Sequence, residues 1–286
     1  GNVYANNTIK SFSANGIQIK TSGAGDVIDN LITGNTIDHD GMASDGIVVS
    51  NDCHANITNN LIRNLGGGIA IFLGSGNVRK PCHIIGNTIQ SITDGKIIKQ
   101  SGTSSREGIQ IIANNTSEHN SSATSLNEPP VLIRQKGGIL VGNSFGYADS
   151  NDFQATVRVE GSGVWNTTSN YIRGGGVSVD YVAPSGTILG NIVEGGDIRV
   201  SSPETIVETN TAIGSLNIRA TPSNFIVGGA RKGKYIGDGT QNRFIQCATV
   251  PEYVIIEDEA GTSEEDRPRS RGREKVALPR TRHIDG

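Results

Sequence analysis

Gly138-Ile139-Leu140-Val141-Gly142-Asn143 is a short apolar segment that ends in an asparagine, and segments of the same kind recur along most of the chain. The asparagine comes back after 25 to 28 residues in the first six intervals, and after 21 and 19 residues in the last two. A repeating unit of this length is typical of solenoid proteins. The recurring residues are Asn7, Asn35, Asn60, Asn87, Asn115, Asn143, Asn170, Asn191 and Asn210.

A second strand in each unit alternates between apolar and polar residues, as in Val157-Arg158-Val159-Glu160. This alternation gives one buried face and one exposed face. A single unit cannot bury its apolar side alone, but units stacked on one axis form a continuous core. Residues 1–228 are therefore predicted to form an all-β, right-handed, single-stranded parallel β-helix of about nine rungs, roughly 43 Å long.

The aligned asparagines are predicted to be part of the scaffold. An asparagine tolerates the left-handed conformation of a turn, and its amide can bond to the amides above and below it. Leucine-rich and ankyrin repeats are the competing solenoids, but the unit has neither their leucine spacing nor their helical segments.

Composition excludes several classes of function. The net charge of −3 gives no basic footprint for nucleic acid, and no stretch has the roughly 18 apolar residues of a membrane helix. We therefore expect neither nucleic acid nor membrane among the partners.

Cys53, Cys82 and Cys247 match no metal-binding or disulfide pattern and are expected to be packing residues or free thiols. Because Gly1 lies inside the repeat, the chain is expected to be part of a longer protein.

The pattern changes after residue 228. Residues 229–256 read as strands separated by a glycine-rich turn and a proline-marked turn, which predicts the start of a second, small β module. Residues 257–286 are charged and rich in proline and arginine. Such a segment buries too little to offset its ordering entropy, so we predict a disordered tail.

The asparagine-marked coils resemble the pectate-lyase-like right-handed β-helix family, which includes phage tailspikes, pre-neck appendages, polysaccharide lyases and epimerases. The segment from Tyr235 to Ile256 is similar to a β module at the C-terminal end of phage tail proteins. The resemblance implies a tailspike or tail appendage in a virion tail or outside the cell, a homotrimer, and contacts with other tail proteins. Neither the aspartate pair of the pectin hydrolases nor the calcium motif of the lyases is present, so no cofactor is expected, or a Ca²⁺ ion if the protein is a lyase.

Two aspartates are candidates for acid–base catalysis. Aligning the units on the glycine before the alternating strand places Asp45, Gly67 and Asp94 in phase. The two carboxyls would then lie two rungs, or roughly 9 to 10 Å, apart. An inverting glycosidase separates its carboxyls by about 6.5 to 9.5 Å. The alternative is that an aspartate before a glycine is an ordinary turn residue.

Further candidates lie in the long loops, which are the expected walls of a groove. Asp38, His39 and Asp40 form an acid–imidazole cluster that could supply a base or bind a cation. His39 and Asp40 are its catalytic candidates, and Asp38 is its candidate substrate-binding residue. Later residues predicted to bind substrate are Glu118, His119, Glu128 and Arg134, and no metal ligand is predicted. Each of these groups also fits a solvated loop or a charged surface, and the lone tryptophan, Trp165, fits either the core or a sugar-stacking position.

These sequence features fit three functions. The first is a tailspike-like protein that binds a bacterial cell-surface polysaccharide in a lateral groove and cleaves it, as a glycoside hydrolase or a polysaccharide lyase. The second is a tail fibre that recognises the host without catalysis. The third is a secreted bacterial polysaccharide lyase or epimerase. The fold alone does not separate them.

Overall fold

The computed structural model describes residues 1–20, 27–50, 53–74, 81–93, 95–101, 109–119, 128–147, 155–174, 177–201 and 204–213. Beyond these it describes the backbones of five short strands, and for a few other strand residues it describes the backbone alone. The strands are β1 (Val3–Ala5), β2 (Thr8–Lys10), β3 (Asn15–Ile19), β4 (Val27–Thr33), β5 (Thr36–Asp38), β6 (Asp45–Val49), β7 (Cys53–Thr58), β8 (Leu61–Leu65), β9 (Ile69–Leu73), β10 (His83–Ile85), β11 (Thr88–Ile92), β12 (Lys96–Gln100), β13 (Gln110–Ala113), β14 (Thr116–His119), β15 (Val131–Ile133), β16 (Gly138–Val141), β17 (Ser144–Tyr147), β18 (Ala155–Val159), β19 (Val164–Thr168), β20 (Tyr171–Arg173), β21 (Val177–Tyr181), β22 (Ser185–Leu189), β23 (Ile192–Glu194), β24 (Asp197–Val200), β25 (Thr205–Glu208), β26 (Thr211–Ile213), β27 (Ile218–Ala220), β28 (Phe225–Val227), β29 (Tyr235–Ile236), β30 (Arg243–Ile245) and β31 (Val254–Ile255).

These strands form three parallel sheets, because up to β28 each strand pairs with the third one further along the chain. At the C-terminal end the spacing falls to two, as in β27-β29-β31 and β28-β30. Sheet A begins β1-β4-β7 and has eleven strands, sheet B begins β2-β5-β8 and has nine, and sheet C begins β3-β6-β9 and has eleven. The predicted parallel β-helix is confirmed. Sequence patterns identified the strands of sheets A and C, whereas the shorter strands of sheet B directly follow the stacked asparagines.

The core consists of inward-facing columns of aliphatic side chains. Ile37, Ile62 and Ile89 follow one another in sheet B, and none of them is exposed. Trp165 is also fully buried, and its indole N–H donates to the carbonyl of Gln135 at 3.0 Å. Of the two positions that its sequence allowed, the tryptophan therefore occupies the core.

The stacked asparagines form a continuous ladder of buried amides. The Nδ2 of Asn115 donates to the Oδ1 of Asn143 at 2.9 Å and to the carbonyl of Ile84 at 2.9 Å, and its own Oδ1 accepts from Asn87. The left-handed position of the turn is not the stacked asparagine but the residue before it, such as Asn114 with φ 55° or Gly142 with φ 65°. The stacked asparagine is thus selected for its hydrogen bonds and its neighbour for its backbone conformation.

The C-terminal strands extend the existing sheets. The backbone of β29 pairs in parallel with β27 in sheet C, and that of β30 pairs in parallel with β28 in sheet A. The boundary at residue 228 between the β-helix and a second module stays a prediction. Residues 257–286 lie outside the described residues, as does Cys247, whereas Cys53 and Cys82 are packed in the core.

Replacing Asn115 with alanine is expected to destabilise the protein by about 3 kcal/mol or more, because buried hydrogen-bonding groups of Asn87 and Ile84 lose their partner. Urea unfolding of the two proteins measures this difference. The matched control is Thr116→Ala, which changes an exposed residue next in sequence and should cost less than about 1 kcal/mol. Equal losses in the two variants would contradict a structural role for the ladder.

Candidate functional site

One edge of the β-helix, where strands of sheet B connect to strands of sheet C, carries four of the nine predicted site residues: His39, Asp40, Asp45 and Glu128. We call this the B–C edge and define its described part as residues 11–14, 39–45, 66–69, 93, 95–96 and 128–130. Asp38 ends β5, Asp45 begins β6, and Glu128 lies three residues before β15. The predicted grouping of the two long loops on one edge is thus compatible with the topology, although most of the second loop, residues 120–127, lies outside the described residues.

The register of sheet C differs from the alignment that paired Asp45 with Asp94. Ile47 pairs with Ile71, which places Asp45 in line with Ile69 and, one rung further, with Lys96. Gly67 lies opposite Ala43. The sequence alignment of Asp45 with Gly67 was therefore wrong by two residues. Asp94 itself lies outside the described residues, so its catalytic role stays a prediction.

Asp45 has a half-buried carboxyl that is held in place. Its Oδ1 accepts the backbone N–H of Ile69 at 2.8 Å. Burial raises the pKa of this carboxyl, while the Ile69 hydrogen bond and the charge of Lys99 oppose the rise. Gly68 makes the close packing possible, because a Cβ at this position would lie 2.5 Å from the Ser44 carbonyl oxygen. A carboxyl with a raised pKa can retain a proton for transfer to a leaving group.

His39 is fully enclosed. Its Nδ1 lies 3.0 Å from the Ser44 hydroxyl, and its ring centre is 4.7 Å from that of Phe12. The Nε2 atom is buried and has no hydrogen-bond partner among the described residues. Burial lowers the pKa of His39 to about 4, so the ring is neutral at pH 7. A ring enclosed in this way cannot touch a polysaccharide in this conformation, and its predicted role as a base finds no support in the geometry.

Asp38 and Asp40 have different environments although they are close in sequence. Asp38 accepts hydrogen bonds from Asn64 at 2.9 Å and from Arg63 at 3.0 Å. The bond from Asn64 is the largest of several contacts that lower the Asp38 pKa. Asp40 is exposed, has φ 52°, and accepts a hydrogen bond from Ser11 at 3.1 Å. Asp38 is therefore engaged in the scaffold, whereas Asp40 can reach a ligand.

Glu128 connects the second long loop to sheet C through two lysines. Its Oε2 contacts the ammonium groups of Lys96 and Lys99, and the contact with Lys99 measures 2.5 Å. The hydrogen bond from Lys96, followed by that from Lys99, lowers the pKa of Glu128 to about 2. This carboxylate remains ionised at neutral pH. Glu118 and His119 end β14 with only their backbone described, so their predicted roles stay predictions.

Arg134 belongs to a ladder of ion pairs on the outer face of sheet C. Its Nε donates to Glu160 at 2.7 Å, and Glu160 also forms an ion pair with Arg158, whose Nε lies 2.6 Å from its Oε1. Arg158 in turn lies 3.5 Å from Asp180. Because its guanidinium already has a carboxylate partner, Arg134 would have to exchange that partner to hold an anionic sugar.

Sequence reasoning assigned no role to Asp29, yet this residue pairs with an imidazole on the outer face of sheet A. Its Oδ1 lies 3.2 Å from the Nδ1 of His54, and the rings of His54 and His83 are 6.2 Å apart. The strand register accounts for this contact. Asn30 pairs with Ala55 in the neighbouring rung, and Asp29 and His54 are the residues directly before them. The pair is an acid and an imidazole on a different face from the B–C edge.

Compared with known proteins, the chain matches no family model, no curated protein and no solved structure. Within the described residues, no three His, Cys, Asp or Glu side chains converge in an arrangement that could hold a metal ion. The same residues include no helix with the length and apolar character needed to cross a lipid bilayer.

Replacing His39 with asparagine is expected to flatten the pH dependence of stability between about pH 6.5 and pH 4. The unfolded histidine binds a proton below its ordinary pKa of 6.5, while the native ring resists protonation until about pH 4. The free energy of unfolding therefore falls as the pH falls through this range, by at most about 3 kcal/mol from this residue. Asparagine preserves a polar group near Ser44 but does not titrate.

The measurement is urea unfolding of both proteins at several pH values. A variant that loses stability as steeply as the original protein over this range would show that His39 is not the group responsible.

Proposed function

We propose that this chain is the β-helix of a phage or prophage tailspike-like protein that binds a bacterial cell-surface polysaccharide along the B–C edge and cleaves it. The elongated edge supports this proposal, since loops of successive rungs stack there and offer a row of polar groups to a linear polymer. The resemblance of the asparagine-marked coils to pectate-lyase-like proteins supports the class of substrate.

One observation carries the catalytic part of the proposal. Lys99 interacts with two carboxyls whose ionisation is shifted in opposite directions, Asp45 towards the protonated form and Glu128 towards the ionised form. Two carboxyls with pKa values that are pushed apart by their environments are the usual arrangement for an acid and its charged partner. We therefore propose Glu128, in place of Asp94, as the ionised partner of Asp45.

The proposed reaction is hydrolysis of a glycosidic bond. Asp45 donates its proton to the leaving oxygen as the bond from that oxygen to the anomeric carbon breaks. Ionised Glu128 exchanges its lysine partners to stabilise the positive charge that develops on the sugar ring, and a water molecule then bonds to the anomeric carbon. Its proton passes to a carboxylate, for which Asp40 and Asp94 remain the predicted groups.

A non-catalytic tail fibre is the second candidate. The observation in its favour is that several charged side chains, including Asp38, Glu128 and Arg134, are already paired within the protein. An edge whose charges are internally neutralised can bind a glycan through hydrogen bonds without transferring protons.

Replacing Asp45 with asparagine is expected to lower the rate of cleavage by at least about a hundredfold, because general acid catalysis contributes about that much or more. The amide oxygen of asparagine can still accept the Ile69 N–H, so the fold should be retained. The assay incubates the 286-residue chain with purified envelope glycans and follows new reducing ends and, for a lyase, the absorbance of unsaturated uronate.

Asp180→Asn is the matched control, because Asp180 is another buried carboxyl whose pKa is raised by burial, but it lies on the outer face of sheet C. This variant should retain activity. Cleavage that continues unchanged in Asp45→Asn would sink the assignment of the acid. Glycan binding without any cleavage by the original protein would support the fibre.

The proposal extends to assembly. A tailspike-like protein is expected to be a homotrimer that joins other tail proteins in a virion. Sedimentation velocity of the purified chain should give about three times its mass of 30.1 kDa. A monomer at all concentrations would count against a trimer of this segment.

A further inference from the structure

The outer face of sheet A has a different chemistry from the B–C edge. Seven large apolar side chains are exposed among the described residues, and five of them lie in sheet A or next to one of its strands. Two of the five line a single cleft, and exposed apolar side chains that group together on a surface usually mark a binding site. The five are Val3, Ile109, Val164, Leu189 and Ile206.

A cleft of about 530 Å³ opens on this face beside β16 and β19. The volume is within the range of small-molecule sites. Its walls are the exposed side chains of Ile109 and Val164, and Ile139 lies between them. Gly138 forms part of its floor, and a Cβ at this position would lie 2.7 Å from the Trp165 ring. A side chain at position 138 would point inwards against the buried indole, so the packing of Trp165 beneath the cleft requires this glycine.

Lys136 gives this apolar cleft a positive charge. The side chain is exposed and has no ion pair or hydrogen bond among the described residues, and the described residues that line the cleft include no acidic side chain. The contrast with sheet C is clear, because Lys96, Lys99, Arg134 and Arg158 all contact carboxylates. Lys136 is thus a cation available to a ligand.

Asn166 supplies a second polar group. It lies in the same outward-facing column as Ile139, and its Oδ1 accepts the hydroxyl of Thr187 at 2.9 Å. This bond fixes the orientation of the amide. The Nδ2 atom then remains as a hydrogen-bond donor with no acceptor among the described residues.

We propose that this cleft binds one carboxylated sugar residue, such as a uronic acid unit. The carboxylate pairs with Lys136, a ring or hydroxyl oxygen accepts from Asn166, and the apolar face of the sugar ring packs on Ile139 and Val164. A small hydrated anion would gain nothing from the apolar walls, and a neutral sugar would leave the lysine unpaired. The inference rests on the proposed function, since it specifies an acidic polysaccharide, but it concerns a site outside the B–C edge.

The test titrates the 286-residue chain with the methyl glycoside of glucuronic acid and follows amide chemical shifts by NMR. Methyl glucoside is the neutral ligand control, and octanoate tests for an acyl anion. We expect the glucuronoside to bind at least tenfold more tightly than the other two. Lys136→Gln should reduce its affinity at least tenfold, and Val164→Glu should abolish binding by adding a negative charge to the wall.

Lys10→Gln is the matched control variant, because Lys10 is an exposed lysine of β2 at the far end of the chain and should leave binding unchanged. Equal affinities for the charged and neutral sugars, preference for octanoate, or unchanged binding in Lys136→Gln would each overturn the proposal. If Asp45-dependent cleavage occurs but no glucuronoside binds, the cleft fails and the proposed function stands. If the glucuronoside binds but no glycan is cleaved, the cleft stands and the catalytic proposal fails.

Discussion

The ladder of buried asparagine amides is the constraint on which the rest of this structure depends. Each stacked asparagine from Asn35 to Asn210 is almost fully excluded from water, so each of these amides must find its partners in the neighbouring rungs. A slip of one rung by even one residue would leave several of these groups unpaired. The ladder therefore fixes the turn between sheets A and B, while differences in repeat length are taken up elsewhere along the coil.

The sequence was sufficient for the fold because the ladder and the alternating strands repeat together. It was insufficient for register in sheet C. Gly46-Ile47 and Gly68-Ile69-Ala70-Ile71 match equally well when Ile47 is aligned with Ile69 or with Ile71, since the two isoleucines are two residues apart and belong to the same phase of the alternation. A shift of two residues preserves the burial pattern, so hydrophobic periodicity cannot detect it. The incorrect alignment of Asp45 with Asp94 followed from this ambiguity.

The candidate site, like the fold, was only partly predictable from the sequence. Sequence reasoning found the loops that carry Asp45, Asp40 and Glu128, because long polar insertions between short strands can be recognised in the amino-acid sequence. The ionisation states of His39 and Glu128 could not be predicted from the sequence, because they depend on contacts between rungs. Phe12 covers His39, and Lys96 and Lys99 converge on Glu128. The cleft beside Lys136 was missed for the same reason, because its residues come from three separate repeats.

The amide ladder also has a direction. Every stacked asparagine from Asn7 to Asn191 donates its Nδ2–H to the Oδ1 of the following one. The side-chain dipoles are therefore aligned head to tail along the axis, and neighbouring bonds polarise one another. One end of the stack presents an acceptor oxygen and the other a donor hydrogen. A further coil, or a capping domain, can join either end only with the matching polarity, so the ladder constrains the orientation of what precedes and follows it.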